Sequence, residues 1–218
     1  MNAIFQSTEQ ALHVSFLVMS VPAMGDNKFR KFLIQMLESA SDDGLSDWDI
    51  KTKGKWLEQL IGTPSGTIDF SGLNQLEIRG QCAMITAAVR DRLPSTESAA
   101  LLARYGIGDD QQKGIVRLAL HARRSCGLGV RACGKLTARH YLPTSRRDSL
   151  SFRDLADEFK VTKDKMHRAA IWMTKHYSAL ERLAVSRLDP QFKAQGVVGT
   201  EEFHADVMPR REPLVTSD

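Results

Sequence analysis

The sequence predicts a mainly α-helical protein: a helical N-terminal region, then a C-terminal helix-turn-helix with an extended last helix. Three observations carry that expectation. Ile78, Cys82, Ile85, Val89 and Leu93 recur at steps of three and four, as do Met173, Tyr177, Leu180, Ala184 and Leu188, which is the spacing of one helix face. Pro94, Gly106 and the Gly62–Gly66 segment fall at the ends of such stripes. Finally, Ser151–Ala170 supplies the caps, the small residue and the apolar plugs that two short crossed helices need.

Taken in order, residues 8–20 read as a short helix or a buried strand, because the run Val14–Met19 fits either. Asp26 or Asn27 can cap a helix to about Ser39, with Phe29, Phe32, Leu33, Met36 and Leu37 inward. Ser41–Asp49 is a polar loop, and Lys53–Ile61 a second helix ended by Gly62–Gly66. Trp48 and Trp56 read as core or lid aromatics. Gln75–Arg92 is a helix stopped by Pro94. Ser95 is expected to cap the next, which ends at Tyr105 with Gly106 as a left-handed turn-off. Asp109 is expected to cap a helix that buries Ile115, Leu118 and Ala119. Gly127, Gly129 and Gly134 punctuate the basic stretch after that helix and suggest a boundary within 124–134. The expected organisation is therefore a helical region 1–124, a basic module 125–189 and a flexible tail 190–218 beginning at Pro190.

Composition narrows the class. Apolar residues make up 42% of 218 and charged residues 26%, both close to globular averages. No apolar run reaches the roughly 18 residues a membrane helix needs, and Val14–Met19 lacks the basic flank of a signal peptide. Three cysteines, Cys82, Cys126 and Cys133, do not suggest a disulfide framework. A cytoplasmic protein with reduced thiols and no membrane partner is expected. The net charge of +4 is unevenly spread. Residues 111–187 hold 17 Lys and Arg against 6 Asp and Glu, a balance of +11, whereas the remainder balances at −7. No acidic residue occurs from His121 to Arg147. A basic block beside an acidic remainder suits either a polyanion partner or a solvated cationic surface.

Ser151–Ala170 shows how such a partner would be read. Ser151 caps a first helix, and Asp154 stands where a capping box usually has Glu. Leu155 and Phe159 share a face, and Ala156 is small enough to let a second helix cross close by. Val161 plugs the turn, Thr162 caps the second helix, and Met166, Ala169 and Ala170 face back. Lys160 occupies the turn position that most often holds Gly, where a left-handed backbone costs a side chain on the order of 1 kcal/mol. The outward face of the second helix carries Lys163, Lys165, His167 and Arg168. A recognition helix presents its N-terminal residues to the major groove, where Lys and Arg donate to guanine or phosphate. The plain alternative is a helical hairpin in a core.

The run "RHYLPTSRRDSLSFRDLADEFKVTKDKMHRAA" is similar to sigma-factor region 4 and resembles the helix-turn-helix of phage late-gene antiterminator Q-type proteins. A His-Tyr helix precedes a Ser-x-Arg-x-Leu-Ala helix, as His140-Tyr141 precedes Ser151, Arg153, Leu155 and Ala156. The resemblance covers about a quarter of the chain. It implies double-stranded DNA as partner near promoters, with RNA polymerase as a second contact.

The sequence-level expectation is a DNA-binding transcription regulator, antiterminator-like and phage or prophage in character, reading the groove with helix 163–176. Thr162, Lys163, Lys165, His167 and Arg168 would face the bases, and Arg123, Arg124, Arg139, Arg146 and Arg147 the phosphates. Rival readings are a small-terminase-like packaging protein, oligomeric through Tyr177–Leu188, and a recombinase-type enzyme. A homodimer is also compatible. Cys126, Cys133, His140 and His121 could gather zinc, but their spacing is wider than that of structural zinc sites. Gly127-Leu-Gly129 lacks a nucleotide-binding pattern, and Asp42, Asp43, Asp47 and Asp49 read as a solvated loop. No nucleophile elbow or zinc-protease helix occurs, so no catalytic residue, metal or cofactor is expected.

Overall fold

The computed structural model describes residues 3–21, 68, 70, 73–142, 147 and 150–199. The helices expected at 26–39 and 53–61, the two tryptophans near them, the acidic loop and Arg146 lie outside the described residues. The described chain is mainly helical, with α1 (Thr8–Ser20), α2 (Gln75–Asp91), α3 (Ser95–Tyr105), α4 (Asp109–Cys126), α5 (Val130–Tyr141), α6 (Phe152–Phe159) and α7 (Lys163–Ala194). Among the described residues β-pairing is limited to isolated bridges of Phe5 with Ile68 and Val198. No described helix is long and apolar enough to cross a membrane.

Residues 8–20 form a helix, and capping explains how. Ser7 accepts the Gln10 N–H at 3.2 Å, and the Gln10 side chain accepts the Gln6 N–H at 2.8 Å. At the other end Arg79 of α2 donates to the carbonyls of Val18 and Val21, at 3.1 and 2.7 Å. Those orphan acceptors are satisfied by a side chain across the fold. A full capping box starts α2: Asn74 accepts from the Glu77 N–H and Glu77 accepts from the Asn74 N–H.

Three local expectations need correction. Ser95 and Asp109 are not caps but the first residues of α3 and α4, with Pro94 and Gly108 in the capping positions. Gly106 is extended rather than left-handed. It is glycine for space: a Cβ there would lie 2.3 Å from the Leu102 carbonyl and 2.9 Å from the Gln111 N. Gly114 makes the same case more strongly. Its Cβ would sit 2.4 Å from the Ala103 N and 2.7 Å from the Ala99 O, so bare backbone lets α4 lie directly on the alanine face of α3.

Two hydrophobic clusters share α3 and α7. The first joins α1, α2, Leu101 and Leu102 of α3, and Ala184, Leu188 and Phe192 of α7. The second joins Ala99, Ala100 and Ala103 of α3 with α4, α5, α6 and the first half of α7 as far as Tyr177. The break at Gly127–Gly129 therefore does not separate the cores, because α4 and α5 on either side of it lie in the same one. Gly134 does not punctuate the chain either; it is interior to α5.

Residues 190–199 do not form the tail expected from Pro190. Pro190 sits inside α7, which runs to Ala194. Phe192, Val197 and Val198 are buried in the first core. Gly196, at φ 69°, turns the chain so that Val197 donates to the Phe192 carbonyl at 2.9 Å. Phe5 then donates to the Val197 carbonyl and accepts from the Gly199 N–H. Proline removes one helical bond, and the burial of Phe192 beyond it offsets that loss. The stripe Met173, Tyr177, Ala184 and Leu188 is spent within the chain itself.

Polar side chains tie α7 to its neighbours. Buried Glu181 accepts from Arg104 at 3.0 Å and from the Tyr141 hydroxyl at 2.9 Å. Tyr177 shares a 2.8 Å hydrogen bond with Thr137. Burial pushes the Glu181 carboxyl above its ordinary value, against the pull of Arg104 and Tyr141.

Candidate nucleic-acid interface

The helix pair α6–α7 and the turn between them are built as their residues require. Ser151 accepts the Asp154 N–H at 3.2 Å and gives its own hydroxyl proton to the Asp154 carboxylate at 2.7 Å. The shorter acid thus bonds the cap's hydroxyl, a variation on the capping box. Leu155 and Ala156 are buried, and Phe152 and Phe159 are half-buried. The turn is a left-handed helix ending. Lys160 has φ 52° and ψ 46°, Val161 donates to the Ala156 carbonyl at 3.0 Å, and Lys160 donates to the Asp157 carbonyl at 3.3 Å. Among the described residues Lys160 is the one non-glycine with positive φ. Thr162 then caps α7 by accepting the Lys165 N–H at 3.3 Å.

Met166, Ala169 and Met173 turn inward. Thr162, Lys163, Lys165, His167 and Arg168 are all exposed. Their cations lie on the first turns of α7, where the helix dipole is also positive. Two of these side chains are steadied locally. The His167 ring meets the Phe152 ring edge-on at 5.4 Å, and Arg168 Nε reaches the Asp164 carbonyl at 3.4 Å.

The arginines expected at phosphates fall into two groups. Arg123 and Arg124 are exposed in the last turn of α4, a favourable place for cations. The contact of His121 with His176 sets that end of α4 beside a point roughly 20 Å along α7 from Lys163. Arg139 and Arg147 have structural work. Arg139 donates through Nε to the Leu150 carbonyl at 2.8 Å and lies 4.1 Å over the Phe152 ring. Arg147 donates to the carbonyls of Leu142 and His140, at 2.9 and 3.2 Å, closing the end of α5. Their fixed guanidinium groups have fewer donors to offer a partner than the sequence suggested.

The cysteines and histidines do not converge. Among the described residues, no three His, Cys, Asp or Glu side chains are placed to hold a metal ion. Burial raises the Cys133 thiol to about 11 and raises Cys126 as well, so both remain thiols. His140 is depressed to about 4 by burial and by the nearby Arg147 and Arg104, and it is neutral near pH 7. Its Nδ1 lies 3.3 Å from the Thr174 hydroxyl.

Sequence reasoning missed the contacts that brace the motif. Lys135 of α5 pairs with both Glu158 oxygens at 2.8 and 2.7 Å, holding the end of α6. The His121–His176 pair, with Trp172 stacked 4.6 Å from His176, ties α4 to α7. Neither pairing has a local spacing signal, since 23 and 55 positions separate the partners. The protein is thus a mainly helical chain of two shared cores that presents a braced, cationic helix end. No protein-family model matches the chain, and comparison with curated proteins finds no match.

Proposed function

We propose that this chain is a DNA-binding transcription regulator that reads the major groove with the first turns of α7. One observation carries the reading. Lys160 adopts the left-handed turn between α6 and α7, and the crossing over Ala156 leaves Lys163, Lys165, His167 and Arg168 exposed together. Lys165 and Arg168 supply donors for guanine edges, and Arg123 and Arg124 supply phosphate contacts farther along. The resemblance to late-gene antiterminator Q-type proteins and sigma-factor region 4 favours a cytoplasmic role at promoters with RNA polymerase as second partner. Ring assembly through Tyr177–Leu188 is the weaker reading, because Tyr177, Ala184 and Leu188 are buried within this chain.

The test is selection of binding sites from a randomised duplex library by the full chain, followed by gel shift. A discrete motif is expected. Lys165→Ala with Arg168→Ala should lower discrimination between that motif and random DNA at least tenfold, with the helical signal unchanged. No enriched motif, or unchanged discrimination in the double variant, overturns the reading.

A further inference from the structure

A second feature lies behind the helix-turn-helix turn. An open groove of about 470 Å³ runs between α4, α5 and the end of α6. Ile115 and Val116 of α4, Ala138 of α5 and Phe159 of α6 give it apolar walls. Arg131 and Lys135 of α5 also line it, together with Glu158 of α6, which is bonded to Lys135. The volume is that of a small-molecule site, and apolar walls with a few charged groups are the usual make-up of one.

Gly134 leaves bare backbone on the wall of this groove. It lies inside α5 and lines the groove. Glycine in a helix interior is unfavourable relative to alanine. At Gly114 close packing explains the glycine; at Gly134, as at Gly80 of α2, a Cβ would meet nothing within 4 Å, but of these two only Gly134 lines the groove. Neither backbone torsion nor contact within the described chain calls for it. Bare backbone facing an open groove allows the close approach of a ligand.

Charge selects the kind of ligand. Arg131 is exposed, and no carboxylate among the described residues is paired with it. Lys135 is held by Glu158, but both side chains are nearly half exposed, at 44% and 46%, so the pair is open to exchange. We infer that this groove binds a small amphipathic anion: an apolar body over Gly134, against Ile115 and Phe159, with a carboxylate or phosphate group met by Arg131 and Lys135.

Occupancy has a structural consequence. Glu158 and Phe159 are the last residues of α6, and Lys160 is the turn itself. An anion that draws Lys135 away from Glu158 loosens the brace behind the turn. Its influence on DNA rests on the function proposed above, whereas its binding does not.

The experiment is an amide NMR titration of the isotope-labelled full chain, without DNA. The probes are octanoate, phenylbutyrate and phenyl phosphate, with octanol and phenylbutanol as uncharged controls. At least one anion should give saturable, single-site shifts at Gly134, Lys135, Ala138 and Phe159. The matching alcohol should bind roughly tenfold or more weakly. Gly134→Leu should abolish the shifts, and Arg131→Ala should reduce anion affinity to that of the alcohol. Gly134→Ala should raise the melting temperature, through helix propensity without a clash, while weakening binding. That opposition distinguishes a ligand-facing glycine from a structural one and stands even where the leucine variant fails to fold. The inference is overturned if no anion shifts these amides, if alcohol and anion bind equally, or if the alanine variants bind like the native chain. Motif selection can fail while these shifts persist, and the reverse, so the two readings fail separately.

Discussion

His121 and His176 meet end to end. Their Nε2 atoms are 2.9 Å apart, their planes differ by 12° and their centroids stand 5.1 Å apart. The nearly coplanar rings point at each other, so one Nε2 carries the proton and the other receives it. The bond needs at least one neutral ring. Burial and the neighbouring His121 both lower the His176 value.

Acid should therefore weaken the fold before most carboxylates titrate. His140, at about 4, and His176 both have folded values below the ordinary histidine value of 6.5. At these two rings the unfolded chain binds more protons in that interval, so the stabilisation they give is complete above about pH 6.5 and is lost as pH falls toward 4, with the raised Glu181 carboxyl acting in the opposite direction. The loss is on the order of 1–2 kcal/mol, given the partly open setting of both rings. Urea midpoints at pH 7.5 and 4.5 measure it. His140→Gln should flatten the difference; an equally steep dependence in that variant would show the sign argument to be wrong.

Lys160 holds a backbone conformation that disfavours a side chain. Lys160→Gly removes that strain and adds some freedom to the unfolded chain. The net expectation is a gain of about 0.5–1 kcal/mol, because the native φ of 52° already suits glycine. Thermal or urea unfolding reads it directly. A loss of stability would mean that the lysine side chain contributes more than its backbone costs.

Gly114→Ala should do the opposite. The new methyl would stand 2.4 Å from the Ala103 N, and backbone there cannot swing aside as a side chain could. Forcing α4 off α3 should cost about 1–3 kcal/mol or more. A melting temperature within a degree of the native chain would contradict the close helix crossing.

The features legible in the sequence are the local ones. The stripes of α2 and α7 and the Ser151–Thr162 turn are written in spacings of three and four, and the structure forms them there. Cap positions are set by torsions: Ser95 and Asp109 are good capping types, yet each stands one residue inside its helix. Gly106 answers to a carbonyl and an amide brought together only by folding. Pro190 obeys the rule against helical proline until the burial of Phe192 overrides it. Charge counting marked Arg139 and Arg147 but could not say which open carbonyls would claim them.

The long reach of α7 sets the mechanical character of the molecule. Its first turns carry the exposed cations, and Leu188 and Phe192 of its last turns are buried in the core shared with α1, α2 and α3. Thr8 clamps it further through a 2.8 Å bond to Asp189. The N-terminal helices thus act as a splint, fixing the direction of a rod whose cationic tip lies at the far end.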